Sequence, residues 1–127
     1  SIIEKKNIVL HTKGETVRDY CYICDAIGAV FIILMNGNPG EAYNVANEET
    51  LCSIAEMAQS AASIAGGDVA VEFDILEDTS AFGYAPKLVM DLDTSKLRAL
   101  GWKPRYGLTE MFERTVESMK TRRQENS

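Results

Sequence analysis

Arg18 is the residue whose type and surroundings most clearly predict chemistry in this chain. It begins the stretch Arg18-Asp19-Tyr20-Cys21-Tyr22-Ile23-Cys24-Asp25, which is otherwise largely apolar and prone to form a strand. A guanidinium in such a strand needs an anionic partner, because its burial without one is costly. Its planar fork of donors matches phosphate oxygens and stays charged at any relevant pH. The alternative is a surface arginine that pairs with Asp19 or a nearby glutamate.

A second candidate for chemistry is the C-x-x-C pattern formed by Cys21 and Cys24. In an extended strand, residues three apart point to opposite faces, so these thiols should diverge. Cys52 and the single histidine, His11, would complete a Cys₃His set, but the spacing contains no second close pair of ligands. We therefore expect buried structural thiols, with no metal site and no redox pair.

Composition limits the classes of function. The 127 residues are 46% hydrophobic and 25% charged, which suits one soluble domain or part of one. The net charge of −6 argues against a nucleic-acid partner or an anionic membrane surface. The longest uncharged stretch, residues 26–40, is too short to span a bilayer, and the N-terminus does not resemble a signal peptide. Three cysteines favour a reducing, cytoplasmic setting.

The elements that position Arg18 are predicted from periodicity and turn residues. Strands at 8–10 and 17–23 should form a hairpin, and Asp25 should cap a helix over 26–35. Because this helix is apolar on nearly every side, we expect it to lie between two layers or against another subunit.

The remaining elements follow from caps and breakers. We expect a strand at 42–45, then a helix that the Ser53–Glu56 capping box opens and Gly66-Gly67 closes, and then a strand at 69–73. A long loop over 74–90 follows and is a candidate binding segment. A helix from Asp93 or Thr94 to Leu100, with Gly101 as its stop, and a last helix capped by Thr109 complete the chain.

Four segments in this order resemble the C-terminal part of the extended short-chain dehydrogenases/reductases. These are the NAD-dependent epimerases and dehydratases that act on nucleotide-diphosphate sugars. The segments are Arg18 to Ala26, Gly40-Glu41-Ala42-Tyr43-Asn44-Val45, the helix start at Ser53, and Asp93 to Pro104. Their spacing also fits, so the resemblance covers nearly the whole chain.

The resemblance implies an α/β (α+β-like) fold with short strands and about four helices. Residues 1–127 would be the C-terminal substrate-binding portion, whose partners are the missing N-terminal Rossmann domain and a nucleotide-diphosphate sugar. NAD would bind only in the intact parent. The sequence has no Gly-x-Gly-x-x-Gly and no Tyr-x-x-x-Lys, so this portion alone should hold no cofactor and no catalytic residue.

The resemblance also implies three substrate-binding residues. Arg18 occupies the position whose guanidinium contacts the diphosphate. A second basic residue normally helps, but its position falls near Leu88 or Val89, and Lys87 is the nearest substitute. Asn47 follows the strand at 42–45, where some relatives place a group near the nucleotide. Taken alone, Lys87 is better interpreted as a solvated loop lysine and Asn47 as a turn residue.

We therefore expect the nucleotide-sugar-binding part of an isomerase or lyase, an epimerase or a dehydratase. The alternative is a non-catalytic interaction module that docks through the helix Ala26–Met35. Self-association into a homo-oligomer is compatible with both hypotheses.

Overall fold

A computed structural model describes residues 1–75 and 87–125, and within them it shows a mixed α/β fold with four α-helices and five short strands. This confirms the expected fold class. The elements are β1 (Ile8–Leu10), β2 (Val17–Arg18), α1 (Ile23–Asn36), β3 (Cys52–Ser53), α2 (Ile54–Ser63), β4 (Val71–Phe73), β5 (Val89–Met90), α3 (Ser95–Ala99) and α4 (Leu108–Glu125), with 3₁₀ turns at Ile2–Glu4 and Glu48–Thr50.

The strands form two small sheets, and the predicted hairpin of β1 with β2 is wrong. β1 pairs in parallel with β4, whereas β2 lies between β3, which is antiparallel to it, and β5, which is parallel. The loop between β1 and β2 leads away from a hairpin because Gly14 packs against the start of α2. Its φ of 65° lies in the left-handed region, and a Cβ there would come within 2.8 Å of the Ala55 backbone nitrogen.

Helix α1 begins earlier than the sequence predicted. The predicted strand at 17–23 ends at Arg18, and the helix begins at Ile23 with Tyr22 at its N-cap and no side-chain cap. Cys24 therefore lies on the helix, and the strand geometry expected for the C-x-x-C pair is wrong. Asp25 lies in the first turn, not at the cap, because its carboxylate is engaged by a distant loop described below.

Two other boundaries also differ from the predictions. The segment at 42–45 contains no strand, because Tyr43 and Val45 pack on the core under α1 instead of joining a sheet. α4 begins at Leu108, so Thr109 lies inside the helix and not at its cap. The capping box of Ser53 and Glu56 is confirmed, with both reciprocal hydrogen bonds present. Of the predicted loop at 74–90, residues 76–86 lie outside the described residues.

One core lies beneath α1, where Ala29, Leu97 and Trp102 are almost fully buried. The opposite face of α1 is exposed in this chain, with Phe31 at 60% and Leu34 at 76% of full exposure. The expected covering layer on that side is therefore not supplied by the described residues. None of the described helices combines the length and the apolar character needed to cross a membrane.

Candidate substrate-anchoring site

Arg18 ends the central strand of the three-stranded sheet. Its register partners are Cys52 on β3 and Met90 on β5. Because paired residues point to the same face of a sheet, the guanidinium rises between a thiol and a thioether. The Arg18 residue is exposed to solvent. The guanidinium of Arg18 thus lies on the sheet between two uncharged side chains, those of Cys52 and Met90.

The chain just after Arg18 is held by buried hydrogen bonds. The hydroxyl of Thr50, which is 3% exposed, accepts a bond from the Tyr20 amide at 2.8 Å. The same hydroxyl lies 2.7 Å from the carbonyl oxygens of Tyr20 and Asn47. Directly after Arg18, the Asp19 carboxylate accepts a bond from the Leu92 amide at 2.8 Å. These contacts fix the backbone on which Arg18 stands, and they leave its guanidinium out of the network.

The electrostatic surroundings of Arg18 favour an external anion. In the part of the chain that the structure describes, no carboxylate lies within ion-pair distance of its guanidinium. Asp19 is the ion-pair partner that the sequence suggested, but one of its carboxylate oxygens accepts a hydrogen bond from the Leu92 amide instead. Burial raises the pKa of Tyr20, and the nearby Cys52 adds to this effect while Arg18 opposes it. Tyr20 is therefore a neutral neighbour of the cation.

Asn47 lies in the interior, at 2% exposure, as the N-cap of the turn Glu48–Thr50. Its side-chain oxygen accepts a bond from the Glu49 amide, and its side-chain nitrogen donates to the Tyr106 carbonyl at 3.1 Å. Both ends of the amide thus fasten the chain to itself, in keeping with the turn residue that was the alternative. A role in nucleotide binding stays a prediction.

Lys87 lies just before β5, next to the residue whose carbonyl accepts a bond from the Val17 amide. It therefore belongs to the sheet that carries Arg18. Its ammonium is 3.4 Å from a Glu15 carboxylate oxygen, and both side chains are exposed. An exposed pair of this kind is weak and can exchange for another anion. Lys87 lies three residues before Met90, the register partner of Arg18, whereas Asn47 is buried beneath the adjoining turn.

Asp25 and Trp102 form a second, buried polar junction, which is structural. One Asp25 carboxylate oxygen accepts bonds from the amides of Arg105 and Tyr106, at 2.9 and 3.1 Å. The Trp102 indole donates to the Asp25 carbonyl at 3.0 Å. The junction ties the loop after α3 to the first turn of α1. Sequence analysis assigned a structural role to Asp25 but missed its partners, because they lie far along the chain.

The prediction of buried thiols is wrong, because Cys24 is exposed and Cys21 and Cys52 are only half-buried. All three are free thiols, and burial raises the pKa of Cys21 to about 11 and also raises that of Cys52. Thiols with raised pKa values are poor nucleophiles and poor ligands at neutral pH. Over residues 1–75 and 87–125, no group of three or more potential ligands is placed to hold a metal ion.

Sequence reasoning missed the residues that surround Arg18. Cys52, Met90 and Thr50 are brought to it by strand pairing across long stretches of chain. No local spacing indicates such pairs, since register between distant short strands is a tertiary property.

Comparisons with known proteins show what this chain is similar to. The model of the NAD dependent epimerase/dehydratase family matches residues 1–46, which include β2 and all of α1. UDP-D-apiose/UDP-D-xylose synthase 2 of Arabidopsis thaliana is 29% identical in an alignment 127 positions long, which covers 91% of this chain and 32% of the synthase. This chain is therefore similar to NAD-dependent epimerases and dehydratases.

Two solved structures share the fold of this chain. UDP-glucose 4-epimerase of Thermotoga maritima, solved with UDP-glucose, superposes with a TM-score of 0.78 at 22% identity, over 95% of this chain and 37% of the epimerase. dTDP-glucose 4,6-dehydratase of Bacillus anthracis, solved with NAD, gives 0.74 at 20% identity, over 96% and 37%. The chain spans about a third of the length of the curated relatives it matches.

Proposed function

We propose that this epimerase/dehydratase relative is the nucleotide-sugar-binding portion of an NAD-dependent enzyme, and that Arg18 anchors the diphosphate. The observation that carries the proposal is an exposed guanidinium on the central strand of a sheet, with no described carboxylate to neutralise it. Residues 1–127 would form the C-terminal portion of the parent, with the Rossmann domain as its partner.

The chemistry of the anchor follows from its surroundings. A guanidinium can donate two parallel hydrogen bonds to phosphate oxygens, and such charge-assisted bonds are stronger than neutral ones. The Thr50 network holds the neighbouring backbone in place, so less ordering is needed when the ligand binds. Lys87, once released from Glu15, would supply a second cation from the segment just before β5. Asn47 would act indirectly, by shaping the turn next to the site.

The residues present do not fit NAD. A pyrophosphate binds where a glycine-rich turn leads into a helix N-terminus. Gly37 and Gly40 follow the C-terminal end of α1, and no α-helix begins directly after them. The sequence also lacks a Tyr-x-x-x-Lys pair. We therefore derive no catalytic step from this chain, and we expect the 127 residues alone to be inactive. The intact parent would be a cytoplasmic enzyme that epimerises or dehydrates its sugar.

The test is isothermal titration calorimetry, in which UDP or UDP-glucose is titrated into the 127-residue chain. We expect saturable binding that Arg18→Gln weakens at least tenfold and Arg18→Lys weakens less, because lysine keeps the charge but loses the fork. Lys13→Gln is the matched control, since it removes one exposed charge from the loop before β2. Binding that survives Arg18→Gln, or no binding by the unaltered chain, would overturn the proposal.

A second candidate function is supported by the exposed face of α1. The face contains six large apolar side chains: Ile23, Ile27, Val30, Phe31, Leu34 and Met35. An uncharged patch on a helix is typical of an interaction surface. An interaction module predicts self-association that Phe31→Glu abolishes, together with no affinity for UDP. Because self-association is compatible with both functions, the UDP titration separates them. Sedimentation velocity of the unaltered chain and of Phe31→Glu then tests whether α1 is the surface that associates.

A further inference from the structure

A cleft of about 320 Å³ opens between the first turns of α1 and the loop that follows α3. Its volume is at the small end of the range for pockets that hold small molecules, about 300–1,000 Å³. The cleft is separate from the sheet that displays Arg18, and none of its lining belongs to that sheet. The lining residues are Cys24, Asp25, Gly28, Ile32, Gly101, Trp102, Lys103, Arg105 and Tyr106.

One side of the cleft is formed by α1, through Gly28 and the half-buried Ile32. Gly28 leaves open space there, since a Cβ built on it would meet no atom within 4 Å. Trp102, which is 2% exposed, is fixed by its bond to the Asp25 carbonyl. Tyr106 is also held in place, in an edge-to-face contact with Tyr22 at 5.0 Å between ring centroids. The α1 side of the cleft therefore offers an apolar surface at Gly28 and Ile32.

The charge in the cleft is positive. Lys103 and Arg105 are exposed, and neither has a carboxylate within ion-pair distance among the described residues. Asp25 is the one acid in the lining, and it already accepts bonds from the Arg105 and Tyr106 amides. The lining thus contains two cations, and its single acid already accepts two backbone hydrogen bonds.

We propose that this cleft binds a small organic anion that carries a flat apolar group, such as an aryl phosphate. The anionic end would contact Lys103 and Arg105, and the ring would lie against Gly28 and Ile32. This site goes beyond the nucleotide-sugar function, because it uses a different surface and does not need Arg18.

Phenyl phosphate is the probe, titrated into the ¹⁵N-labelled 127-residue chain and followed by ¹H–¹⁵N spectra. We expect saturable shifts at the Gly28 and Gly101 amides and at the Trp102 indole. Inorganic phosphate, which lacks the ring, should bind at least tenfold more weakly. Gly28→Leu should abolish the shifts by filling the cleft, while helix content is kept because leucine is the better helix former.

The double variant Lys103→Gln/Arg105→Gln should weaken phenyl phosphate binding at least tenfold. The matched control Lys13→Gln/Lys120→Gln removes the same charge from exposed positions outside the cleft lining and should leave the affinity unchanged. The double variant changes only exposed loop residues, so it tests the site even if Gly28→Leu perturbs the helix. Equal weakening by both double variants, or no saturable shifts, would overturn the proposal.

Arg18→Gln distinguishes this site from the proposed diphosphate anchor. It should leave phenyl phosphate binding in the cleft unchanged while it weakens UDP binding. Loss of the cleft shifts in Arg18→Gln would overturn the assignment to a separate site.

Discussion

The two ends of the segment Arg18–Asp25 carry opposite charges in different surroundings. At its end, Asp25 is 5% exposed, and its carboxylate and carbonyl oxygens are bonded to the loop after α3. At its start, Arg18 is exposed on a two-residue strand and has no described carboxylate partner. The difference separates a charge used to hold the fold from a charge left available to a ligand.

The comparison predicts that substitutions in the buried junction affect stability and that substitution of Arg18 affects binding. Buried polar groups that lose a partner are costly, whereas exposed side chains contribute little to the free energy of unfolding.

The largest effect on stability is expected for Trp102→Ala. The change removes a buried ring from the core shared with Ala29 and Leu97, so the free energy of unfolding should fall by about 3–5 kcal/mol. Urea denaturation followed by circular dichroism measures it, because the variant lacks the single tryptophan. Trp102→Phe, which keeps a ring but loses the donor to Asp25, should cost less. Equal losses would show that the hydrogen bond, not the packing, dominates.

Asp25→Ala should have the next largest effect. It leaves the amides of Arg105 and Tyr106 without their acceptor, and the free energy of unfolding should fall by about 2 kcal/mol. The same denaturation experiment tests it, with Asp91→Ala as an exposed control. If the two variants were equally stable, the junction would not be the structural half of the comparison.

A smaller, pH-dependent effect is expected for Glu48→Gln. Bonds from Thr94 lower the pKa of Glu48, and Arg98 adds to the effect. A lowered pKa means that the stabilisation is present above the ordinary glutamate pKa and is lost as the pH falls through the lowered value. Glu48→Gln should therefore lower Tm at pH 7, and the difference in Tm from the unaltered chain should shrink as the pH falls below the ordinary glutamate pKa. A difference in Tm that did not change with pH would contradict this explanation.

The smallest effect on stability is expected for Arg18→Gln. Its free energy of unfolding should stay within about 0.5 kcal/mol of the unaltered chain, since the guanidinium is exposed and unpaired among the described residues. The same protein sample should show the weakened UDP binding described above. A large loss of stability would mean that Arg18 is a structural residue, and the comparison would fail.

Local signals predicted the elements that local chemistry decides. The capping box at Ser53 and Glu56 and the stop at Gly101, whose φ is 93°, are both present. Each depends on residues a few positions apart, so the sequence contains the whole cause. The existence of α1 was predicted for the same reason, although its start was placed too late.

Pairing between distant segments could not be predicted in this way. The hairpin of β1 with β2 and the strand at 42–45 were both wrong, because short apolar runs do not specify which partner they join. The same limit hid the neighbours of Arg18 and the loop that Asp25 holds.

The sequence by itself determined the existence of the helices, the capping box of α2, the stop after α3 and the positions of the residues that carry the family resemblance, because turn chemistry and helical periodicity act over a few residues. Only the tertiary structure decided that Asp25 is buried and bonded while Arg18 is exposed without a described ion-pair partner. The reason is that burial and hydrogen-bond partners depend on which distant segments meet. In this chain those contacts join residues that are far apart in the sequence, such as Asp25 and Arg105.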